Sequence, residues 1–273
     1  MAILERHPTT AGRCRIFPFE IGSAAAQLAR SETCWQAVAE GQAPPSLRWY
    51  SFYTTGLLLG VSQPWSTIDP AACRAAAAEV AKRSSGGTAV LVDQSTLALD
   101  VALPAGHPLA NSDVVEAYRW LGETYLDALK TLAPKQAHRL TLVSVEDARR
   151  DRQAQRAAAQ GTPACLRALA CYGTLSPYEV AWRRPGAKNE LAKLVGLSQL
   201  RKRGVVFYQA GLFARPFGAT LARLLAVSGD GRRGLAEELD RRTATFADLD
   251  LTTAAFEDVV AAVTSAISRL LCA

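Results

Sequence analysis

The sequence predicts an α+β protein in which a mixed β-sheet is flanked by helices. Two observations support this class. Through residues 14–215, short apolar segments typical of strands alternate with Ala-rich or amphipathic segments typical of helices. Residues 216–272 then keep helical spacing and indicate a helical tail.

The N-terminal part of the chain alternates between segments with the hydrophobic pattern of strands and segments with that of helices. The pattern predicts a frayed tail at 1–12, a strand at 14–19, a helix from 22 to about 40, a strand pair or hairpin made of "SLRWYSF" and "GLLLGVS", and a helix over 68–82. Asp69 is a suitable N-cap for the last of these helices, and Pro70 suits its first position.

The middle of the chain continues in the same way. The pattern predicts a glycine loop running into the strand "TAVLVD", then the strand "STLALDVALP", an amphipathic helix over 111–132 and the strand "RLTLVSV". A charged loop or loose helix over 146–162 follows and could act as a lid. The strand-like segments "YEVAW", "KLVGLSQ" and "GVVFYQAGLF" come next. We therefore predict a single domain, 1–273, with a helical tail at about 216–273.

The composition indicates a globular protein. Hydrophobic residues make up 49% and charged residues 21% of the 273 residues, which is enough apolar material for a core. No apolar run approaches the roughly 18 residues of a membrane helix. The N-terminus contains an acid and no apolar signal-peptide core. We expect no membrane partner, no secretion signal and a cytoplasmic location.

The six cysteines and three histidines are dispersed, without CxxC pairs, so we predict no metal and no disulfide framework. The net charge of +6 fits simple solubility or attraction to an acidic partner. Because the basic residues are scattered and no nucleic-acid motif accompanies them, an acidic carrier protein fits at least as well as nucleic acid, and we predict no nucleic-acid partner.

The stretch "ACYGTLSPYEVAW" contains Cys171, a candidate nucleophile. The thiolate is the reactive form of cysteine and needs a cationic neighbour, for which Lys193 is the candidate. The lysine ammonium could also hydrogen-bond a carbonyl oxygen as negative charge develops there. Taken alone, Cys171 is better explained by packing, because cysteine is among the most buried residue types.

The stretch "SSGG" at 84–87 is a second candidate. Its glycines would let the backbone and its N–H groups approach an acyl chain or a phosphate. Taken alone, a tight turn at the entry to a strand explains these glycines better.

Three stretches together resemble the biotin/lipoate A/B protein ligase family. "PSLRWYSFYTTGLLLGVSQP" resembles its first strand pair, "KRSSGGTAVLVD" its Arg-Arg-x-Thr-Gly-Gly-x-Ala-Val loop, and "KLVGLSQLRKRGVVF" its Lys-x-x-Gly-x-Ala/Ser-Gln-x-Arg segment. Their order and spacing match the family. The resemblance implies a class II aminoacyl-tRNA synthetase/biotin ligase-like catalytic fold with a helical C-terminal tail.

"CYGTLSPYE" is similar to a motif of the cysteine-dependent octanoyltransferase branch, the lipoate-protein ligase A-like transferases, in which the cysteine carries the acyl group. This resemblance implies catalytic roles for Cys171 and Lys193. It also implies that Arg83 positions the phosphopantetheine of the carrier or an acyl carbonyl. Ser85, Gly86 and Gly87 of the glycine stretch are further candidates for substrate binding. By residue type, Gln199 could orient a carbonyl or be satisfied by the backbone, and Tyr172 could line an apolar acyl tunnel or pack in the core.

The implied activity is transfer of an octanoyl (or lipoyl) group from an acyl carrier protein to Cys171 and then to a lysine of a lipoyl domain, with no cofactor required. The small acyl ligand would be octanoate or lipoate. One alternative is a lipoate–protein ligase, which needs ATP and Mg to form a lipoyl-adenylate. A second alternative is a non-catalytic relative that binds lipoyl domains.

Three positions depart from the family pattern. Val92 and Ala210 stand where the family commonly has histidine, and Ser31-Glu32 stands where its early helix often has Asp-Glu. We therefore expect either that the acid–base groups of this chain differ from those of many members or that its activity is reduced.

Overall fold

Two β-sheets form the centre of the protein. The computed structural model describes residues 10–11, 14–186 and 190–272, and in this part of the chain the larger sheet has nine strands and the smaller one three. The strands are β1 (Thr10–Ala11), β2 (Cys14–Ile16), β3 (Glu20–Gly22), β4 (Ser46–Phe52), β5 (Gly56–Leu59), β6 (Glu79–Lys82), β7 (Val90–Val92), β8 (Thr96–Pro104), β9 (Leu140–Leu142), β10 (Val180–Arg183), β11 (Leu191–Lys202) and β12 (Val205–Phe213). The helices are α1 (Ala24–Ala39), α2 (Pro70–Ala75), α3 (Arg119–Leu132), α4 (Val145–Ala157), α5 (Pro163–Leu166), α6 (Gly218–Leu224), α7 (Gly229–Arg242) and α8 (Phe256–Cys272).

Both sheets are mixed. The large sheet has the order β1-β2-β4-β8-β12-β11-β10-β9, with β3 added beside β4, and the small sheet has the order β6-β5-β7. Strands β2 and β3 run parallel to β4, and β5 runs parallel to β6, whereas the other pairs are antiparallel. The α+β class that the sequence predicts is therefore confirmed.

Helices α3 and α8 cover one face of the large sheet. Their apolar residues, among them Leu121, Tyr125, Val259 and Val263, join the strands in the main core. Burial of such side chains gives roughly 25 cal/mol per Å² of apolar surface removed from water.

Helix α1 covers the opposite face. Ser23 caps its N-terminus by accepting a hydrogen bond from the N–H of Ala26. Trp35 and Val38 pack against Phe207 of β12. The small sheet packs beside this helix together with α6 and α7, so a cavity is bounded by α1 and strands of both sheets.

Two predictions for the N-terminal half are wrong. The segments predicted as a hairpin, β4 and β5, lie in different sheets. The helix predicted over 68–82 ends after Ala75, where Ala77 takes a positive φ of 48°. Residues Glu79–Lys82 pair in parallel with β5, because edge pairing in the small sheet outweighs the helical propensity of the alanines.

Other boundaries shift. The helix predicted over 111–132 begins at Arg119, since the Asp113 carboxylate accepts from the N–H groups of Val115 and Glu116 and holds the preceding residues in a turn. The segment predicted as a loop or loose helix contains α4. Most of the tail predicted at 1–12 lies outside the described residues, although Thr10–Ala11 pair with β2. None of the described helices is long and apolar enough to cross a membrane.

Gly122 gives a test of how closely α3 packs. A Cβ at this position would overlap the carbonyl oxygen of Tyr178. Gly122→Ala should lower the free energy of unfolding by about 1–3 kcal/mol, the usual cost of overpacking, measured by urea denaturation. The matched control is Gly106→Ala, where an added Cβ would meet nothing within 4 Å. Equal effects of the two substitutions would contradict the packing described.

Candidate active site

Cys171 begins a single 3-10 turn, Cys171–Gly173, at the edge of the small sheet. Its N–H donates to the carbonyl oxygen of Ala89 over 2.9 Å, and the N–H of Ala89 donates to the carbonyl oxygen of Leu169 over 3.0 Å. These bonds hold the segment beside the strand that follows the glycine loop. The half-buried Cys171 side chain lines the cavity.

Lys193 and Glu179 form a buried ion pair beside the backbone of Cys171. The Lys193 Nζ lies 2.8 Å from the Glu179 Oε1, and both side chains are only 1% exposed. The same Nζ donates to the backbone carbonyl oxygen of Cys171 over 2.9 Å. The lysine therefore contacts the main chain of the candidate nucleophile, and the glutamate fixes the lysine.

The environment of Glu179 explains how the pair is held. Its carboxylate also accepts from the N–H groups of Ser176 and Leu197 at 2.7 and 3.2 Å. Burial raises the pKa of the Glu179 carboxyl, and the adjacent Lys193 ammonium and these N–H donors act in the opposite direction. Sequence reasoning assigned no role to Glu179, although it closes the "CYGTLSPYE" motif.

Tyr172 forms a wall of the cavity. Its hydroxyl accepts from the N–H of Gly196 over 3.1 Å and donates to the carbonyl oxygen of Gly211. A Cβ at Gly196 would come within 2.8 Å of the ring, so the glycine is required by the close approach of the tyrosine. Because both bonds of this hydroxyl go to backbone groups, the aromatic surface is what Tyr172 presents to the cavity.

The glycine loop lies near Cys171. Gly87 has a φ of +96°, and a Cβ placed there would lie 3.5 Å from the Cys171 Sγ. The Ser85 side chain is buried and its hydroxyl donates to the Gln209 Oε1 over 2.7 Å. Gly86 is exposed at the tip of the loop. Of the residues with predicted binding roles, Arg83 and Tyr172 line the same cavity as Cys171.

The cavity has a volume of about 70 Å³, and its walls are largely apolar. Val92 and Ala210, the two positions where the family commonly has histidine, both line it. The wall is therefore made of aliphatic groups at the two points where imidazoles were expected.

Gln199 lies away from this cavity. It follows Ser198, which is part of the cavity wall, but its own Nε2 donates to the carbonyl oxygen of Val114 over 2.6 Å. Its predicted role in binding substrate is therefore not supported by its position.

A buried polar network under the cavity was missed by the sequence analysis. The Asp100 carboxylate, fully buried, accepts from the Arg48 guanidinium at 2.9 Å, the Tyr50 hydroxyl at 3.1 Å and the Gln209 amide at 3.0 Å. Gln209 in turn holds Ser85 of the glycine loop. A single charged residue in each of two otherwise apolar strands, "SLRWYSF" and "LALDVAL", was the available signal, and Arg48 and Asp100 are paired in register.

A second ionic cluster holds the segment that carries Cys171. Asp151 of α4 lies 2.9 Å from the Arg167 guanidinium, with side-chain exposures of 7% and 4%. Asp151 also accepts from the N–H of Leu175 over 2.9 Å and pairs with Arg242 of α7. Arg167 donates to the carbonyl oxygen of Gly173. The helix predicted as a lid therefore anchors the segment that carries Cys171.

The fold is that of a lipoate-ligase-like catalytic domain. A bipartite lipoate protein ligase from an archaeal lipoylation system of Thermoplasma acidophilum superimposes with a TM-score of 0.66 and 18% identity over 96% of this chain and 84% of that one. A lipoate-protein ligase A bound with ATP gives a TM-score of 0.65 and 17% identity over 96% and 85% of the two chains. At these identities the likeness shows the fold.

The family model for the lipoyl protein ligase A/B catalytic domain matches residues 23–268, so the chain belongs to this family. An octanoyltransferase LipM from Kyrpidia tusciae is 29% identical over 192 residues, which is 70% of this chain and 62% of that protein. A LipM from Brevibacillus brevis is 27% identical over 194 residues, 71% of this chain and 63% of that protein. The match thus spans less than two thirds of the length of these curated relatives. The family resemblance expected from the sequence is confirmed.

The buried pair predicts strong coupling between Glu179 and Lys193. Glu179→Gln or Lys193→Met should each lower the free energy of unfolding by about 3–5 kcal/mol, because each leaves its partner buried without a counter-charge. The double variant should lose at least about 1 kcal/mol less than the sum. Urea denaturation measures all three.

The control is Glu146→Gln, which breaks a pair with Arg150 whose side chains are 61% and 66% exposed. An exposed pair contributes at most about 1 kcal/mol. Strict additivity of Glu179→Gln and Lys193→Met would contradict the coupling.

The ionic cluster predicts that Asp151 restrains the Cys171 segment. Asp151→Asn should speed alkylation of Cys171 by iodoacetamide, about tenfold for every 1.4 kcal/mol of lost local stability. Peptide-level mass spectrometry separates Cys171 from the half-buried Cys165. Arg150→Gln is the control, since Arg150 is exposed on the same helix. An unchanged rate in Asp151→Asn would contradict this anchoring role.

Proposed function

We propose that this protein is an acyltransferase that moves an octanoyl (or lipoyl) group from a carrier thioester to Cys171, and from Cys171 to a lysine of a lipoyl domain. The observation that carries the proposal is that Cys171 lines an apolar cavity, with Lys193 hydrogen-bonded to its backbone carbonyl oxygen and the glycine loop nearby. A thiol fits this chemistry, because exchange between two thioesters joins similar nucleophiles and leaving groups.

The first half-reaction forms a thioester on the enzyme. The Cys171 thiolate attacks the carbonyl carbon of the donor thioester, the bond from that carbon to the donor sulfur breaks, and the released thiol takes up a proton in place of the one that Cys171 lost. Negative charge develops on the carbonyl oxygen during the attack, and donors fixed in advance at that point lower the barrier.

Lys193 is the proposed donor to that oxygen. An ammonium has three N–H groups, and among the described residues two of them are used, by Glu179 and by the Cys171 carbonyl. In this proposal the third N–H bonds to the substrate oxygen, although Lys193 is buried and is not among the residues that line the cavity. Glu179 acts through Lys193 and is a positioning residue.

The second half-reaction forms an amide. The neutral amine of the acceptor lysine attacks the thioester carbonyl of acyl-Cys171, a C–N bond forms, the C–S bond breaks, and a proton from the amine returns to the sulfur. The proposed partners are an acyl carrier protein as donor and a lipoyl domain as acceptor. No cofactor enters either step.

A lipoate–protein ligase is the second candidate, and the likeness in fold to a lipoate-protein ligase A bound with ATP favours it. In that reaction, ATP and Mg would form a lipoyl-adenylate, and Cys171 would have only a packing role. The two candidates differ in whether Cys171 becomes acylated.

Intact-protein mass spectrometry after incubation with octanoyl carrier protein tests the proposal. The wild type and Cys165→Ala should acquire a hydroxylamine-labile octanoyl adduct, because Cys165 does not line the cavity. Cys171→Ala should acquire none. If no adduct forms, and a lipoyl domain is modified only with ATP and free lipoate, the transferase proposal is wrong and the ligase is favoured.

A further inference from the structure

The cavity that Cys171 lines, which we call the Cys171 cavity, lies between the two sheets. Its walls include Ala98 and Gly211 of the large sheet and Val90 of the small sheet. Cys171 lies toward the Val90 end, because its N–H donates to the carbonyl oxygen of Ala89, the residue before β7. The cavity can therefore be followed along β7, away from the candidate nucleophile.

A short turn closes the Cys171 cavity at the far end of β7. Strand β7 ends at Val92, and β8 of the other sheet begins at Thr96. The N–H of Thr96 donates to the carbonyl oxygen of Asp93 over 2.9 Å, and the N–H of Ala214 donates to that of Ser95 over 2.7 Å. The second bond ties the end of β12 to the same turn. The two sheets therefore converge here, where Val92 and Thr96 both line the cavity.

Packed aromatic rings complete this closed end. Phe213 pairs in register with Thr96 and also lines the cavity. Its ring centroid lies 4.8 Å from that of Tyr172 and 4.3 Å from that of Phe217. Val92, Thr96 and Phe213 are each at most 3% exposed. Because buried side chains packed in this way resist displacement, we call these three residues the end wall.

The length of the wall along β7 limits the chain that fits. Val90 and Val92 lie on the same face of β7, two residues or about 7 Å apart. An extended chain advances by at most about 3.6 Å for every three bonds, so the seven C–C bonds of an octanoyl group span about 8 Å. The eleven C–C bonds of a dodecanoyl group span about 13 Å. The shorter chain matches the wall between Cys171 and the end wall, and the longer chain exceeds it.

Small residues keep the cavity open before the end wall. Gly196, Gly211 and Ala98 pair in register across three neighbouring strands, and all three line the cavity. Strand alternation places Ala98 on the same face as Thr96, about 7 Å from it. A larger side chain at Ala98 would therefore occupy the path of an acyl chain that reaches the end wall.

From these observations we propose that Val92, Thr96 and Phe213 determine acyl chain length, so that the site takes a linear chain of about eight carbons and rejects dodecanoyl and longer chains. The assignment rests on the proposed function for the reaction at Cys171. The methyl end of the chain lies against the end wall, and Ala98 leaves room for its middle. These are specificity-determining residues, because they contact the chain and none of the reacting atoms.

A series of acyl-N-acetylcysteamine donors with two to twelve carbons tests the proposal. The measured quantity is the rate at which an acyl adduct forms on Cys171, followed by intact-protein mass spectrometry. In the wild type the rate should rise up to eight carbons, because each buried methylene stabilises the bound chain. It should then fall at least tenfold between octanoyl and dodecanoyl donors. Equal rates with these two donors would overturn the proposal.

Val92→Ala enlarges the cavity at the end wall. It should raise the ratio of the decanoyl rate to the octanoyl rate at least threefold. Val101→Ala is the matched control, because Val101 is fully buried in the main core and does not line the cavity. This control should leave the ratio unchanged. The same ratio in both variants would overturn the end wall.

Ala98→Leu narrows the cavity before the end wall. It should slow acylation by the octanoyl donor at least tenfold and acylation by the acetyl donor less than twofold, because a two-carbon group does not extend along the cavity. Equal slowing with the two donors would overturn the proposal, since the substitution would then act on the site as a whole.

A binding measurement separates this proposal from the proposed function. If no donor forms an adduct, the acyltransferase is contradicted, and calorimetry with octanoate and dodecanoate then tests the end wall by itself. Octanoate should bind the wild type and Val101→Ala at least tenfold more tightly than dodecanoate, and Val92→Ala should reduce this difference at least threefold. Equal affinities for the two acids, or no binding of octanoate, would overturn the end wall.

Discussion

The buried ion pair between Lys193 and Glu179 is the constraint on which the site depends. Removing two charges from water is expensive, and the pair offsets that cost through close contact and hydrogen bonds to surrounding backbone groups. One of those bonds goes to the carbonyl oxygen of Cys171. The Lys193 side chain therefore both balances the buried charge of Glu179 and holds the backbone of the candidate nucleophile in position. We expect loss of either partner to lower stability and to release the backbone of Cys171.

The remainder of the site is built by close approach of separate segments of backbone. The glycine loop lies near Cys171 at Gly87, and the Tyr172 hydroxyl joins the turn to β11 and β12. Below them, Asp100 connects the central strands to the glycine loop through Gln209. These contacts are short and buried, and such packing resists deformation. These contacts hold the walls of the cavity in place.

Local motifs made part of this site predictable from the sequence. Cys171, Lys193 and the glycine loop lie in short stretches whose residue types and order carry information without knowledge of the fold. The Arg48–Asp100 pair could not be found in this way, because it depends on the register of β4 against β8. The position of Gln199 likewise depends on which side of β11 faces the cavity. The strand at Glu79–Lys82 was missed because the alanines before it favour a helix locally, whereas the pairing with β5 is a tertiary effect.

The central claim is that acyl-Cys171 is an intermediate on the path to the amide. The most direct test is a single-turnover chase, in which the octanoylated enzyme is isolated from donor and mixed with an unmodified lipoyl domain in the absence of ATP. Our account predicts that octanoyl amide appears on the lipoyl domain as the thioester disappears, at a rate no slower than steady-state turnover. A thioester that persists, or that is lost only to hydrolysis, would contradict it.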